Sequence, residues 1–338
     1  MTRDIPRAPL ITTVGAPASP AQRAAISLLR GLTRASFKLL VRPPFTMGAQ
    51  RVISSTLARC VPVERGLDRS CLPCGGDLLR PAVGVPDGAV LYLHGGAFCM
   101  GSAATHRAIT SRLASRSHSE VWVPNYRLAP EHPYPAALDD ALECFRQMLI
   151  AGHPADRIVL AGDSAGAGLA LALAFRLREQ GLPMPGGLLL CSPWVDLSFD
   201  GESMRLNARL DPMLSRLRLM ICARHYRGDE GRQNPGCSPL FAEFGGMPPM
   251  LIQVGSDELL LDDAIRLAQR AAVHGADVRL TQFSGMWHGF QLHAGLLPIA
   301  ATALDQAGAF IAGCRQLPVR SASSATKGWS ASRPAWSM

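Results

Sequence analysis

The pentapeptide Gly162-Asp163-Ser164-Ala165-Gly166 has the residue types and spacing that could make a serine nucleophilic. An apolar run over 157–161 precedes it, and an apolar, helix-forming run over 167–175 follows, which places Ser164 at a sharp turn from strand to helix. Gly162 and Gly166 leave room for such a strained backbone. The pattern predicts a nucleophile elbow. Taken alone, it is also compatible with a surface serine in a turn of small residues.

A second group of residues could stabilise negative charge. The apolar run Leu91-Tyr92-Leu93 ends at His94-Gly95-Gly96, where small residues allow backbone amides to face a ligand. Together with the amide of the residue after Ser164, such groups could form an oxyanion hole. The candidate donors are the N–H groups of Gly95, Gly96 and Ala165. A plain turn containing two glycines is the alternative.

The remaining candidate catalytic residues, an acid and a histidine, lie nearer the C-terminus. Asp257 follows the apolar run 250–254, and His288 follows the next strand pattern. The order serine, acid, histidine is that of an α/β-hydrolase. Glu258, Asp262 and Asp263 compete with Asp257, but their position at the start of the next helical pattern favours a role as helix N-terminal acids.

Strand and helix patterns alternate through the centre of the chain, which predicts an α/β fold with a mostly parallel sheet of about eight strands and helices on both faces. Residues 60–86 are typical of antiparallel hairpins at a sheet edge. Residues 197–247 lack a clear strand and form an insertion, whereas residues 1–20 are predicted to be loose. Strands are predicted at 89–93, 120–124, 157–161, 187–191, 250–254 and 277–281, and helices at about 103–117, 135–150, 165–180, 259–274 and 296–313.

The N-terminal segment contains a basic amphipathic helix over 21–41, followed by a second helical stretch over about 46–59. Basic side chains occupy one face of the first helix and leucines the opposite face. Docking of the leucine face on the protein itself is favoured over weak contact with a lipid surface. The basic residues are Arg23, Arg30, Arg34 and Lys38, and the apolar ones are Ala25, Leu28, Leu29, Leu32, Leu39 and Leu40.

Composition narrows the classes of function. The 338 residues are 48% hydrophobic and 18% charged, which is ordinary for a globular enzyme. The formal charge of +8 arises in the terminal segments, since residues 61–314 carry four more acidic than basic side chains. We therefore expect no nucleic-acid partner.

The nine cysteines are scattered, and most are expected to be small buried hydrophobes in a reducing compartment. Cys71 and Cys74 form one CxxC that no second ligand pair completes, so neither a metal site nor a redox motif is favoured. The sequence has no signal-peptide pattern and no apolar run long enough to span a membrane. These features predict a cytoplasmic protein.

Taken together, these segments resemble the hormone-sensitive-lipase-like branch of the α/β-hydrolases, the GDSAG group of bacterial esterases. The similarity extends from about residue 60 to residue 312. The residues that carry it are His94-Gly95-Gly96, the block from Asn125 to Asp140, the elbow Gly162–Gly166, Ser192-Pro193-Trp194, Gly255-Ser256-Asp257-Glu258 and His288-Gly289-Phe290.

The resemblance implies Ser164 as nucleophile, His288 as general base and Asp257 as the acid that orients it. Ala97 stands where the family often has a third glycine, so its methyl group crowds the site and disfavours esters of bulky tertiary alcohols. His94 and Asp163 are expected to be structural. Candidates for the pocket wall are Ala97, Phe98, Trp194, Met213, Leu214 and Phe290.

The resemblance further implies a helical cap over the serine, built from residues 1–60 and the insertion 197–247. Residues 61–316 form the catalytic domain, and residues 317–338 are expected to be a flexible tail. Relatives often dimerise through the edge strand near the C-terminus, here 277–283, which makes a homodimer a candidate assembly.

The implied function is hydrolysis of short- to medium-chain acyl esters of small molecules through an acyl-enzyme, without metal or cofactor. Cleavage of amides or N-acetyl groups by the same triad is the nearest alternative. A non-catalytic small-molecule receptor is a further alternative, although such proteins commonly lack the histidine found here at 288.

Overall fold

The fold is described here from a computed structural model covering residues 8–41 and 44–315. In this part of the chain, nine strands form one sheet in the order β1-β9-β8-β7-β6-β4-β5-β3-β2. All neighbouring strands are parallel except β2 with β3 and β3 with β5. The strands are β1 Leu10–Val14, β2 Leu67–Cys71, β3 Gly76–Pro81, β4 Ala89–Leu93, β5 Glu120–Pro124, β6 Ile158–Asp163, β7 Gly187–Cys191, β8 Met250–Gly255 and β9 Val278–Phe283.

Helices cover both faces of the sheet, as the alternating pattern predicts. α4, α5 and α8 pack on one face, and α3 and α9 pack on the other. The helices are α1 Pro20–Ala35, which continues as a π-helical turn over Ser36–Leu40, α2 Met47–Ala58, α3 Arg107–Ser117, α4 Ala136–Ile150, α5 Ala165–Glu179, α6 Ser203–Leu206, α7 Arg216–Arg227, α8 Leu261–Val273 and α9 Pro298–Cys314. Short 3₁₀ turns lie at Ala103–His106, Ala155–Arg157, Pro239–Phe241 and Phe290–His293.

The central strands β4, β6, β7 and β8 are buried along their whole length, which explains why they are continuous apolar runs. The register pairs Ala89 with Ile158 and Leu93 with Gly162. The carboxyl ends of β4 and β6 therefore lie side by side. This register brings the loop after Leu93 next to Ser164.

The prediction that residues 1–20 are loose is wrong for Leu10–Val14, which forms β1 and pairs in parallel with β9. Four of its five residues are β-branched, so the segment suits a strand once β9 offers an edge. Consequently β9 is an interior strand, and the expectation that 277–283 forms a sheet edge is wrong as well. Leu10 and Ile11 are exposed on the new edge.

The first helix docks through a face that lies between the predicted leucine face and the basic face. Thr33 is buried there and Ile26, Leu29 and Phe37 are half-buried, so the prediction that the whole leucine face docks is wrong. Arg34 and Lys38 donate to backbone carbonyls of the segment before α7, at Arg209 (2.8 Å) and Leu214 (3.0 Å), and Arg30 reaches the loops beside the serine. The leucines Leu28, Leu32 and Leu39 remain 66%, 56% and 60% exposed. Charge-assisted hydrogen bonds of this kind are stronger than neutral ones and help to hold the helix in this orientation.

The insertion over 197–247 contains α6, α7 and one 3₁₀ turn, and no strand lies in this described segment. No helix among the described residues is both long and apolar enough to cross a bilayer. The tail predicted over 317–338 lies outside the described residues.

Candidate active site

Ser164 lies on a strained turn between β6 and α5. Its backbone angles are φ 54° and ψ −123°, which are rare for a residue with a side chain. A Cβ on Gly162 would lie 2.5 Å from the carbonyl carbon of Gly166, and one on Gly166 would lie 2.0 Å from the carbonyl oxygen of Leu93. Both glycines are therefore required for the turn to pass beneath β4.

The structure brings His288 to this serine. The His288 Nε2 atom lies 2.9 Å from Ser164 Oγ, and both side chains are buried. His288 follows β9 on a short loop, as the sequence predicts. Its Nδ1 atom lies 2.8 Å from Glu258 Oε2. The three groups therefore form a continuous hydrogen-bonded chain from carboxylate to hydroxyl.

The predicted acid, Asp257, is not part of this chain, so that prediction is wrong. Its carboxylate accepts hydrogen bonds from Arg30 Nη2 (2.8 Å) and Ser256 Oγ (2.7 Å), and its side chain is 21% exposed. In the turn after Gly255, the side chain of Asp257 lies against Arg30 of α1, whereas the side chain of the next residue, Glu258, contacts His288. Periodicity does not distinguish two adjacent acids in a turn.

Glu258 is held in place by two further donors. Its Oε1 atom accepts from Ser192 Oγ (2.9 Å) and from the Gly255 amide (2.5 Å), and its side chain is fully buried. The block Ser192-Pro193-Trp194 thus supplies a hydroxyl that supports the acid. The signal that could have found Glu258 is its longer side chain, which can reach back from a position just past the strand end.

The other two competing acids, Asp262 and Asp263, accept hydrogen bonds from backbone amides. Asp262 accepts from the Ser203 amide, and Asp263 accepts from the amides of Val195 and Asp196 at 3.0 Å each. Both tie the beginning of the 197–247 insertion to α8.

The pKa of His288 is raised above its ordinary value of 6.5. Burial opposes this rise because it disfavours the imidazolium, but the hydrogen bond and the negative charge of Glu258 outweigh it. The imidazole is therefore a stronger base than a histidine in water.

The predicted oxyanion donors need one correction. The Gly95 amide donates to Asp163 Oδ1 at 2.9 Å and is not free to bind a ligand. Among the described residues, the amides of Gly96 and Ala97 have no hydrogen-bond partner. Ala97 itself has a positive φ of 54°. With the orphan first amide of α5 at Ala165, these donors complete the set Gly96, Ala97 and Ala165.

Asp163 and His94 have the structural roles expected of them. Asp163 accepts from Tyr92 Oη (2.7 Å) as well as from Gly95, and it lies 3.3 Å from His106 Nε2. Burial would raise its pKa, but the charge and hydrogen bond of His106 prevail and lower it to about 2. Burial lowers the pKa of His94 to about 3, so its ring is neutral where it stacks on Tyr126 with 4.2 Å between ring centroids.

Above Ser164 lies a cavity of about 500 Å³, which we call the active-site cavity. Of the predicted pocket residues, Ala97, Met213 and Leu214 line it. Phe98, Trp194 and Phe290 do not, because they are buried in the core, where Phe98 stacks on Tyr226 with 3.6 Å between centroids. Sequence reasoning missed the apolar wall that α1, α2, α7 and the segment after His288 contribute. It includes Leu29, Leu32, Phe37, Val41, Leu57, Leu219, Leu292 and Leu296.

Cys71 and Cys74 are exposed, and the nine cysteines are unpaired thiols. In the part of the chain that the structure describes, no group of three or more histidine, cysteine, aspartate or glutamate side chains converges as a metal site.

The sheet order, the elbow and the Ser164–His288–Glu258 geometry define a serine hydrolase of the α/β-hydrolase type. The family model described as the alpha/beta hydrolase fold matches residues 90–292, more than half of the chain. The chain belongs to this family.

Individual relatives indicate to which branch of the family the chain belongs. An "Esterase" of Acinetobacter venetianus is 43% identical over 216 residues, which cover 64% of this chain and 71% of that protein. An "Acetyl-hydrolase" of Streptomyces hygroscopicus is 39% identical over 239 residues, covering 70% and 79%. The crystal structure of an esterase from the bacterial hormone-sensitive lipase family superposes with a TM-score of 0.81 at 35% identity, covering 89% of this chain and all of the other. The chain is therefore a member of the hormone-sensitive-lipase-like branch.

Proposed function

We propose that the protein is a serine carboxylesterase that hydrolyses short- to medium-chain acyl esters through an acyl-enzyme. The observation that carries the proposal is the chain Ser164–His288–Glu258 beneath an apolar cavity, next to unpartnered amides. Relatives named esterase and acetyl-hydrolase support the same class of reaction.

In the proposed mechanism, Ser164 Oγ attacks the carbonyl carbon of the ester while His288 Nε2 takes the hydroxyl proton. The amides of Gly96, Ala97 and Ala165 stabilise the oxyanion. The tetrahedral intermediate collapses, His288 protonates the departing alcohol, and a water molecule then releases the acid by the same steps. Glu258 fixes the tautomer of His288 and stabilises its cation.

The expected acyl length follows from the space above Ser164. The cavity is enclosed by α1, α2 and α7, which we propose act as a cap made of residues 1–60 and 197–247. A cavity of about 500 Å³ with leucine and phenylalanine walls favours apolar acyl groups and limits the bulk water around the reacting ester.

The test is turnover of p-nitrophenyl acetate, butyrate, octanoate and palmitate. We expect a pre-steady-state burst of p-nitrophenol and the highest kcat/KM for the shorter chains. Ser164→Ala should abolish turnover, whereas Ser198→Ala, a serine outside the cavity, should retain it. Equal turnover by Ser164→Ala with an unchanged circular dichroism spectrum would refute the assignment.

Cleavage of amides or N-acetyl groups is the second candidate, because the same triad can protonate a nitrogen leaving group. Matched p-nitrophenyl acetate and p-nitroacetanilide separate the two. A higher kcat/KM for the anilide would replace the esterase assignment. Non-catalytic binding is disfavoured because His288 is present and in contact with Ser164.

We also propose weak contact with a lipid surface. The exposed leucines of α1 adjoin the mouth of the active-site cavity, since Leu32 both lines it and is exposed. An ester held in a lipid layer could then enter without crossing water. Cosedimentation with phosphatidylcholine vesicles should be weakened by Leu28→Ser/Leu32→Ser and unchanged by Val83→Ser, an exposed residue elsewhere. Failure of the unmodified protein to cosediment would exclude this contact.

A further inference from the structure

One cation lines the active-site cavity without an acidic partner. Arg218 lies in the first turn of α7, and its side chain forms part of the same wall as Met213 and Leu219. In the described residues, no carboxylate lies within ion-pair distance of its guanidinium. Its one side-chain hydrogen bond joins Nη2 to Gln50 Oε1 at 3.0 Å. A guanidinium has five N–H donors, so most of its binding capacity is unused.

Arg218 is half-buried, and its surroundings disfavour the charged form of its side chain. Burial lowers the pKa of Arg218, and leucine, methionine and cysteine side chains form the neighbouring wall. Burying a charge costs free energy unless a partner compensates it. Gln50, the partner that is present, is neutral.

The nearest charges do not supply the missing anion. The pKa of Lys38 is lowered by its burial, and the positive charges of Arg34 and Arg218 act in the same direction. Asp211 is close to Lys38, but its carboxylate accepts from the backbone amides of Met213 and Leu214 (2.8 and 2.9 Å) and from Leu259 (3.1 Å). The negative charge of Asp211 thus offsets part of the charge of Lys38, whereas Arg218 has no carboxylate within ion-pair distance among the described residues.

The start of α7 adds to the same field. Ser215 caps the helix by accepting from the Arg218 amide at 3.4 Å, and Ser215 also lines the cavity. The N-terminal end of α7, where the helix dipole is positive, therefore lies beside the active-site cavity.

We propose that Arg218 binds an anionic group of the substrate, so that the preferred esters are monoesters carrying a free carboxylate on their acyl or alcohol part. This proposal rests on the esterase function proposed above and specifies its substrate class. The guanidinium forms a bidentate pair with the carboxylate, while Ser164 reacts with the ester carbonyl elsewhere in the same cavity. Arg218 is then a specificity-determining residue.

The competing explanation is structural, because the bond from Arg218 to Gln50 also links α7 to α2. A purely structural residue would affect charged and neutral esters alike. The ratio of kcat/KM for a charged ester to that for a neutral ester of equal length therefore distinguishes the two roles.

The experiment measures this ratio for p-nitrophenyl monoesters of linear dicarboxylic acids against p-nitrophenyl esters of monocarboxylic acids of the same chain length. A second series, 4-acetoxybenzoate against its methyl ester, places the charge on the alcohol part. We expect one series to favour the anion by about tenfold or more in the unmodified protein. Arg218→Met should remove the preference, Arg218→Lys should keep part of it, and Arg216→Gln, an exposed neighbour on α7, should leave it unchanged.

A binding measurement keeps the proposal testable without turnover. Calorimetry on Ser164→Ala compares monomethyl adipate with dimethyl adipate, and the preference for the monoanion should disappear in Ser164→Ala/Arg218→Met. If neither measurement shows a charge preference that depends on Arg218, the proposal is wrong. Ser164-dependent turnover of neutral esters would then leave the esterase function standing, whereas absence of all turnover would refute that function instead.

Discussion

At the scale of single residues, the position of one carboxylate decides how His288 is held. Asp257 and Glu258 are adjacent, yet Glu258 is fully buried against His288, while Asp257 is partly exposed and paired with Arg30. A carboxylate that fixes the tautomer of a catalytic histidine contributes far more to the rate than an exposed ion pair does.

Glu258→Gln should therefore lower kcat/KM for p-nitrophenyl butyrate by about 10²- to 10⁴-fold. Asp257→Asn is the matched control and should lower it by less than about tenfold, since it removes an ion pair with small energetic weight. Steady-state kinetics with both variants checks this. The reverse ranking would restore Asp257 as the acid.

The raised pKa of His288 predicts the pH dependence of the reaction. The base must be neutral, so kcat/KM should fall as the pH drops through the pKa of the folded protein, which lies above 6.5. Removing the charge of Glu258 should lower this pKa. In the pH profile of kcat/KM, the decrease on the acid side should therefore move to lower pH in Glu258→Gln and stay in place in Asp257→Asn. The profiles are measured from kcat/KM between pH 5 and 9.

At the scale of elements, the joint between β7 and α8 contains two buried acids. Desolvation and the charge of Asp196 raise the pKa of Asp263 to about 8. A raised pKa in the folded state means that the stabilisation is complete below the unfolded value of 3.8 and is lost as the pH rises through about 8. This joint should therefore weaken progressively as the pH rises from 3.8 to about 8.

Asp263→Asn removes the charge and keeps an oxygen that can accept from the amides of Val195 and Asp196. We expect its free energy of unfolding to exceed that of the unmodified protein by about 1 kcal/mol or more at pH 9, with a smaller difference at pH 5. Urea unfolding at the two pH values measures the effect, and Asp229→Asn, an exposed acid, is the control. A difference that is independent of pH would contradict the prediction.

At the scale of the whole molecule, β1 forms one edge of the sheet and pairs with β9 through five residues. Deleting residues 1–15 should expose the β9 edge, lower the melting temperature by a few degrees and increase self-association, because an unpaired edge is a template for another strand. Thermal unfolding and sedimentation velocity over a range of concentrations would show both effects. Unchanged sedimentation would mean that the edge is protected in another way. Whether the full chain forms a homodimer stays a prediction.

Much of the molecule could be predicted because its signals are local. Continuous apolar runs such as 187–191, placed between helical patterns, indicate buried strands, and the elbow requires glycine on both sides of Ser164. The serine, the histidine and the sheet therefore follow from residue types and spacing. A short β-branched strand such as Leu10–Val14 carries too weak a local signal, since its stability comes from a partner almost 270 residues away in the sequence.

The sequence by itself determined the fold class, the nucleophile and its base, because strand ends, glycine positions and the order of the motifs along the chain together indicate them. Only the tertiary structure decided which of two adjacent acids faces His288, which amides remain free beside Ser164, and which face of α1 is buried. Each of these outcomes depends on hydrogen-bond partners brought together from distant segments: Asp163 occupies the Gly95 amide, Ser192 holds Glu258, and the carbonyls before α7 attract the basic side chains. The periodic pattern of the sequence does not show which of several possible hydrogen-bond partners a group takes.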